Sequence, residues 1–560
     1  MESIPVHNNR PSFGMVLACV ILGMSAPCLA QQINGRDVVL DGEGKLLSWI
    51  NPNPSIAYIG IIDLALEFIR TDVQSEHGYP NYFCRPSYQR AEPHEGTDWF
   101  SNPSDVLSGF IHSYIDDYYA FSGDASLNDD VILFADYMIE QGSTPIGTGW
   151  AWQGCPYPQD FGGVLPPRSS DREGMIAPHL TGKLGRYYTW LYRFTEDTRF
   201  LTAAIRCADA LAANVRAGTQ LQSPWPYRVM PETNLVYQNC EYCADVIDPI
   251  ELFDELLDLG HDPGGMYTSV RQTVWTWLFS SDGPVVTGNW GNFFEDANYR
   301  FANHCQINTG ETARYCLENP DKDPDWQSHA QTLIAQQESI YGEIQYGAMV
   351  MNEQIDWYYP MISHTARYAS ICALYYEMTG DAVYREKAYR GYNWSTYGSC
   401  PEKARVLVET ITVPPTTAGW YTDCHGDFLQ HIFAGLASVP DWAPDNESHL
   451  LRSTSIVQTI TYEPDSITYR TFDADSKEVL RIVDKPFSVT VDGVPLAERT
   501  DLTEPGWTWE SSKGSGVCRI WHTTGRNIAI EHLALPALDP VGIASILIVL
   551  SVVLFRSRRH

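Results

Sequence analysis

From about residue 35 to 450 the apolar side chains recur three and four positions apart, the spacing of one face of a helix. One phrase occurs three times. It reads Y-Y-A-F-S-G-D-A-S-L-N-D-D-V-I-L-F-A-D-Y-M-I at 118–139, L-Y-R-F-T-E-D-T-R-F-L-T-A-A-I-R-C-A-D-A-L at 191–211 and L-Y-Y-E-M-T-G-D-A-V-Y-R-E-K-A-Y-R-G-Y-N-W at 374–394. Each copy is an apolar helix end, a tight turn closing on an aspartate, and a second amphipathic helix. Asp124, Asp197 and Asp381 stand where a helix wants an N-cap acceptor. In the second copy Phe200, Leu201, Ala204, Ile205, Ala208 and Leu211 fall on one face. The unit is an αα-hairpin, and at roughly 65–70 residues apiece the helical stretch holds about six.

The pattern changes at P-D-W-A-P-D-N-E-S, residues 440–448. Beyond it come short segments of period two rich in β-branched residues, among them I-V-Q-T-I-T-Y, V-L-R-I-V and F-S-V-T-V-D-G-V-P-L. The Asp492-Gly493 pair is a hairpin turn signal, so a small antiparallel β-sandwich is predicted over 452–534.

The turn x-T-G-D-x-x-Y/F, followed by a helix with small residues, resembles the hairpins of the six-hairpin glycosidases and polysaccharide lyases. That resemblance implies a mostly α chain: an (α/α)6 toroid over 31–445 followed by the β-sandwich. The stretch H-T-A-R-Y-A-S-I-C-A-L-Y-Y-E-M-T-G-D is also similar to the helix pair ending glucuronyl C5-epimerases.

Charge narrows the partners. Asp and Glu number 69 against 37 Lys and Arg, a net charge of −32, a field that repels nucleic-acid backbones. The 17 Trp and 32 Tyr suit either a large core or rings that stack on sugars. Residues 1–30 read as a secretory leader, with an apolar run from Phe13 to Met24 and a small-residue site at Ala30. Residues 536–560 combine L-P-A-L-D-P-V-G, an apolar run from Val541 to Phe555 and the cluster Arg556, Arg558 and Arg559. That tail resembles the C-terminal sorting signals of Gram-negative bacteria, which implies a sorting protease as partner. The chain is expected to be exported to the periplasm or cell surface and tethered to the membrane. Thirteen cysteines, two of them in the leader, leave an odd number. In an exported protein several are expected in disulfides, with Cys305/Cys316, Cys400/Cys424 and Cys84/Cys155 as plausible pairs. The lone Cys240-x-x-Cys243 does not make a zinc site, and no cofactor or metal is expected.

Nucleophile elbows, Walker loops, zinc-protease helices and dinucleotide glycine signatures are all missing from the sequence. What remains is carboxylates, histidines and aromatics in loops ahead of helices. The stretch M-N-E-Q-I-D-W-Y-Y-P-M-I-S-H-T-A-R-Y offers Glu353, Asp356 and His364 as catalytic candidates, with Trp357, Tyr358 and Arg367 as substrate contacts. The stretch G-W-Y-T-D-C-H-G-D offers Asp423, His425 and Asp427, with Tyr421. Trp150 and Trp152 form a possible stacking platform, and Trp290 with Glu295 a possible sugar subsite. Each cluster has a plainer reading as helix caps or loop packing. Two opposed carboxylates would serve a glycoside hydrolase. A His or Tyr base with Arg367 would serve a lyase or uronyl epimerase. The acidic body disfavours a polyanionic substrate, so a hydrolase acting on a polysaccharide or oligosaccharide leads, and a non-catalytic glycan-binding protein remains the third reading.

Overall fold

The computed structural model describes residues 32–71, 75–76, 79–80, 88–89, 103–158, 174–237, 240–291, 304–355, 358–400, 405–406, 420–421, 425–512 and 514–532. Twelve principal helices among them alternate between an outer and an inner layer. The outer helices are α1 (Pro54–Thr71), α3 (Asn128–Glu140), α5 (Thr198–Ala213), α7 (Met266–Phe279), α9 (Trp326–Tyr341) and α11 (Ala382–Ser395). The inner helices are α2, α4 (Pro178–Thr195), α6 (Ile247–Asp258), α8 (Gln306–Glu318), α10 (Ile362–Thr379) and α12 (His425–Ser438). Helix α2 is continuous through Pro103–Phe110, a π-helical stretch Ile111–Tyr118, and Tyr119–Ser122. Each inner helix packs on the next, and α12 packs back on α2, so the ring closes. The chain is an (α/α)6 toroid.

The predicted hairpins are present, with one difference at a cap. Asp197 and Asp381 each accept a bond from the backbone N–H two residues on, at 2.9 and 3.0 Å, and start α5 and α11. Asp124 makes the same turn with Ser126 at 2.9 Å, but α3 begins only at Asn128. Its carboxylate is instead tied to Arg70 of α1 and the Tyr118 hydroxyl. The residue before each aspartate is left-handed: Gly123, Glu196 and Gly380 have φ of 74°, 58° and 74°. A non-glycine there costs roughly 1–2 kcal/mol. Glu196 is placed where its side chain receives Gln458 and faces Arg470 and Arg526 of the second domain.

Small residues set the inner spacing. A Cβ on Gly182 would stand 2.6 Å from the Pro249 nitrogen, and one on Gly185 2.7 Å from Leu252. Helices α4 and α6 therefore approach closely, and the long side chains beside those glycines meet the acidic side of α6.

The second domain begins at β1 (His449–Ser453). Sheet one runs β1–β4–β8–β7, with β4 Ser476–Ile482, β8 Ser515–His522 and β7 Gly506–Ser512. Sheet two runs β2–β3–β9–β5–β6, with β2 Val457–Glu463, β3 Ser466–Thr471, β9 Asn527–Glu531, β5 Ser488–Val491 and β6 Val494–Pro495. All the pairings within both sheets are antiparallel. Asp492 and Gly493 turn β5 into β6, with φ of 48° and 77°, as their sequence implied. The sandwich is seated on the C-terminal ends of the inner helices. Tyr119 and Ala120 of α2 belong to its apolar core, His449 stacks on Phe121 at 3.8 Å, and the Arg452 guanidinium grips Glu377 of α10.

The disulfide expectation fails at Cys305/Cys316. Cys305 caps the start of α8, its sulfur accepting from the Ile307 N–H, while Cys316 lies three turns on beside Asp323. Cys155 lies against Cys207 of α5. Cys84 and Cys424 fall outside the described residues. No helix among the described residues is long and apolar enough to cross a membrane; residues 1–31 and 533–560 lie outside them.

The join between domains is packed. Trp442, 3% exposed, has its ring 5.8 Å from those of both Tyr58 and Tyr392, with Arg385 over its face. Trp442→Ala should cost about 3–5 kcal/mol, the usual range for a buried Trp, measured as a drop in the denaturant midpoint at unchanged m-value.

Candidate active site

A cavity of about 600 Å³ follows the axis of the toroid from the first turns of the inner helices down to the sandwich. Its wall is charged, because each inner helix turns a polar stripe inward. On α2 the stripe is His112, Asp116 and Asp117; on α4 it is Lys183, Arg186, Tyr187, Trp190 and Arg193. On α6 it is Asp248, Glu251, Asp254, Glu255 and Asp258, preceded by Asp245. Helix α8 adds Glu311, Arg314 and Glu318; α10 adds Arg367 and Glu377; α12 adds Asp427, Gln430 and His431. The sandwich supplies Arg452 and Lys477 at the far end. The wall holds twelve carboxylates against eight Lys and Arg.

Cations on two opposite helices tie the ring together. Arg367 of α10 binds both oxygens of Asp427 on α12 at 2.7 Å and Glu311 on α8 at 2.6 Å. Lys183 of α4 grips Asp105 of α2, and the charges of Asp248 and Asp427 add to that of Asp105 in raising its pKa. Arg186 of α4 reaches Glu251 of α6 at 2.6 Å. Burial alone would raise the Asp427 carboxyl. Arg367 and a bond to His431 outweigh it and hold the group well below the usual carboxylate range. Burial likewise opposes Glu311, but Arg314 and Arg367 pull it down to about 2.

Helix α6 behaves in the opposite way. Burial raises Asp248 to about 6, with Lys183 and Arg186 only partly offsetting it. Burial and the neighbouring Asp248 push Asp245 well above the ordinary value. Glu251 is also raised well above it by burial, against Arg186. One end of the cavity therefore carries carboxyls on α6 that hold their protons to higher pH than usual, facing a carboxylate on α12 that ionises more readily than usual. In a ring ordered α2, α4, α6, α8, α10, α12, these two helices are diametrically opposed.

The residues picked from the sequence separate into three groups. Asp427 and Arg367 line the cavity. His364 does not; it is buried beside them, with its pKa lowered to about 3 by burial and by Arg367. Glu353 is a correction: it does not line the cavity but is 6% exposed, its carboxylate accepting from Gln354 and its N–H donating to the Tyr359 carbonyl, so it holds a loop together. Trp152 and Trp290 are also corrections. Both are fully buried, their indole N–H groups donating to Asn234 and Gln336, and neither ring is open to a sugar. Trp150 is half-buried and Tyr358 exposed, and neither lines the cavity. The Tyr421 backbone pairs with Tyr88. Asp356, Trp357, Asp423, Glu295 and the His425 side chain lie outside the described residues.

The acidic stripe of α6 was readable. In D-V-I-D-P-I-E-L-F-D-E-L-L-D the carboxylates recur at helical spacing on one face. An acidic stripe ordinarily faces solvent, and only closure of the ring turns this one inward.

No family model matches the chain, and no curated protein matches it. Solved structures share its chain path weakly. A sugar epimerase from a ruminal bacterium is 14% identical, with 68% of this chain and 98% of that one covered at a TM-score of 0.49. A D-mannose isomerase is 11% identical, with 68% and 97% covered at 0.48. The cellobiose 2-epimerase of Spirochaeta thermophila is 11% identical, with 69% and 96% covered at 0.48.

The raised Asp248 carries a stability consequence. An acid whose folded pKa lies above its unfolded value favours the fold while protonated in both states, and that contribution is lost as pH rises through the folded pKa. Between about pH 4 and 6 the charged Asp248 becomes a burden on the fold. Asp248→Asn should therefore raise Tm at pH 7.5 by more than at pH 4, read by calorimetry at both values.

Proposed function

We propose that the protein is a carbohydrate-active enzyme that hydrolyses glycosidic bonds in the axial cavity. Asp248 would be the general acid and Asp427 the opposing ionised carboxylate. The observation that carries this reading is the pair itself: one carboxyl raised to about 6 and one held ionised by Arg367, on opposite walls of a space sized for a small oligosaccharide. Glycoside hydrolysis needs a protonated carboxyl on the leaving oxygen and an ionised one across the sugar ring. Asp248 would protonate the departing oxygen. Asp427 would stabilise the cationic sugar as a carboxylate, its orientation fixed by the two bonds from Arg367. Trp190 and Tyr187 offer the wall its apolar ring surface.

The net charge of −32 on the chain supports a neutral glycan over a polyuronate, and so a hydrolase over a lyase or uronyl epimerase. We read residues 1–30 and 536–560 as before: an exported enzyme, tethered by its tail at the surface of a Gram-negative cell, with a sorting protease acting on the tail.

The test is a panel of neutral and acidic oligosaccharides and polysaccharides, scored for new reducing ends and for unsaturated products. Release of reducing ends from a neutral glycan is expected, with activity falling as pH rises above about 6 while Asp248 gives up its proton. Asp248→Asn and Asp427→Asn should each lower kcat by about 10²–10⁴ with the fold intact. Unsaturated products would replace the hydrolase with a lyase, and binding without turnover would leave a glycan-binding protein.

A further inference from the structure

Deeper along the same cavity is a group that the proposed hydrolysis does not use. His112, Asp116 and Asp117 each present one ligand atom, and the three atoms lie within 4.8 Å of one another. The backbone makes this possible. In an α-helix, residues five apart stand about 140° apart around the axis, so Asp117 would face away from His112. Ile111–Tyr118 is wound with i→i+5 bonds instead, which returns Asp117 to the side of His112 and leaves Asp116 beside it. The His112 Nε2 to Asp117 Oδ2 separation is 3.8 Å. Such π turns are rare and are frequently found at functional sites.

Among the described residues these carboxyls make no direct ion pair with a Lys or Arg; Arg186 and Arg314 act on them only from a distance. Arg186 is spent on Glu251, and Arg314 on Glu311 and Ser370. Neither Asp116 nor Asp117 has a Lys or Arg within salt-bridge distance, and the buried Asp117 Oδ2 accepts no hydrogen bond. His112 Nδ1 is occupied by the Tyr187 hydroxyl at 2.9 Å, which fixes the ring and leaves Nε2 as its free corner toward Asp117. A histidine oriented through its other nitrogen, beside two carboxylates in a cavity with room for water, has the makeup of a divalent-metal site.

We infer that His112, Asp116 and Asp117 bind a divalent transition-metal ion, of the class that accepts one imidazole and two carboxylates and completes its shell with water. With metal–ligand distances of ~2.0–2.2 Å, ligand atoms in neighbouring positions stand roughly 3–3.6 Å apart, so the three side chains need to draw in by about an ångström or less. The tyrosine behind His112 supports the ligand from outside the shell. The ion would neutralise the acidic α2 wall and offer its water-filled positions to sugar hydroxyls. This inference stands apart from the hydrolase reading, since neither Asp248 nor Asp427 is a ligand.

The experiment is Mn²⁺ binding to the full chain after EDTA treatment, followed by electron paramagnetic resonance and titration calorimetry. One equivalent per chain is expected. Asp117→Asn and His112→Gln should each weaken binding at least tenfold, with circular dichroism and Tm confirming that both variants fold. Mn²⁺ that fails to bind the folded wild type overturns the inference. So does binding that survives both substitutions, for instance at Cys316, Asp323 and His329, the other grouping of metal-ligating side chains among the described residues. Metal binding is read without turnover, so it succeeds or fails independently of the glycan panel.

Discussion

Arg367 is the interaction on which the geometry of the site depends. It stands on α10 and binds carboxylates on the helices to either side, Glu311 on α8 and Asp427 on α12. Across the ring, α4 repeats the arrangement with Lys183 toward α2 and Arg186 toward α6. A toroid with an apolar axis would collapse onto itself. This one keeps a cavity open because its inner faces are polar and their charges are tied between neighbours. Buried charges are tolerated only when paired, and removing one partner typically costs about 3–5 kcal/mol because it strands the other. The cross-links therefore fix the wall more firmly than they stabilise the chain.

The arrangement also decides which carboxylates are ionised. Arg367 serves Glu311 on α8 and Asp427 on α12 and leaves both charged. On the α6 side the stripe is longer than the cations available to it, so burial prevails at Asp248 and Glu251, which keep protons to higher pH. Two carboxyls of the same intrinsic chemistry thus take opposite states across one cavity. Neither state is a property of the residue alone; each follows from its distance to α4 or α10.

The sequence carried the architecture better than the site. Hairpin turns, the change to period two near residue 448 and the Asp492-Gly493 turn are local signals, and local backbone chemistry is what a sequence displays directly. Asp427 and Arg367 were legible because they stand in the first two turns of helices that follow aromatic loops. Trp152 and Trp290 misled, since an aromatic in a Gly- and Pro-rich loop reads as exposed whether it binds ligand or plugs the core. The stripes on α2, α4 and α6 were passed over as filler helix. Each looks like an ordinary solvated face until six of them are set around an axis.

The π-helical stretch of α2 shows why such a site escapes periodicity altogether. H-x-x-x-D-D read at helical spacing puts one carboxylate with the histidine and sends the other to a different face. The sequence gives no sign that the winding changes there. The stretch turns His112, Asp116 and Asp117 to the cavity while Tyr114 and Tyr118, on its other side, are buried against each other. A regular helix would fill the wall as well. What it would not do is set two carboxylates beside one imidazole, and that juxtaposition is the property that the irregular winding adds.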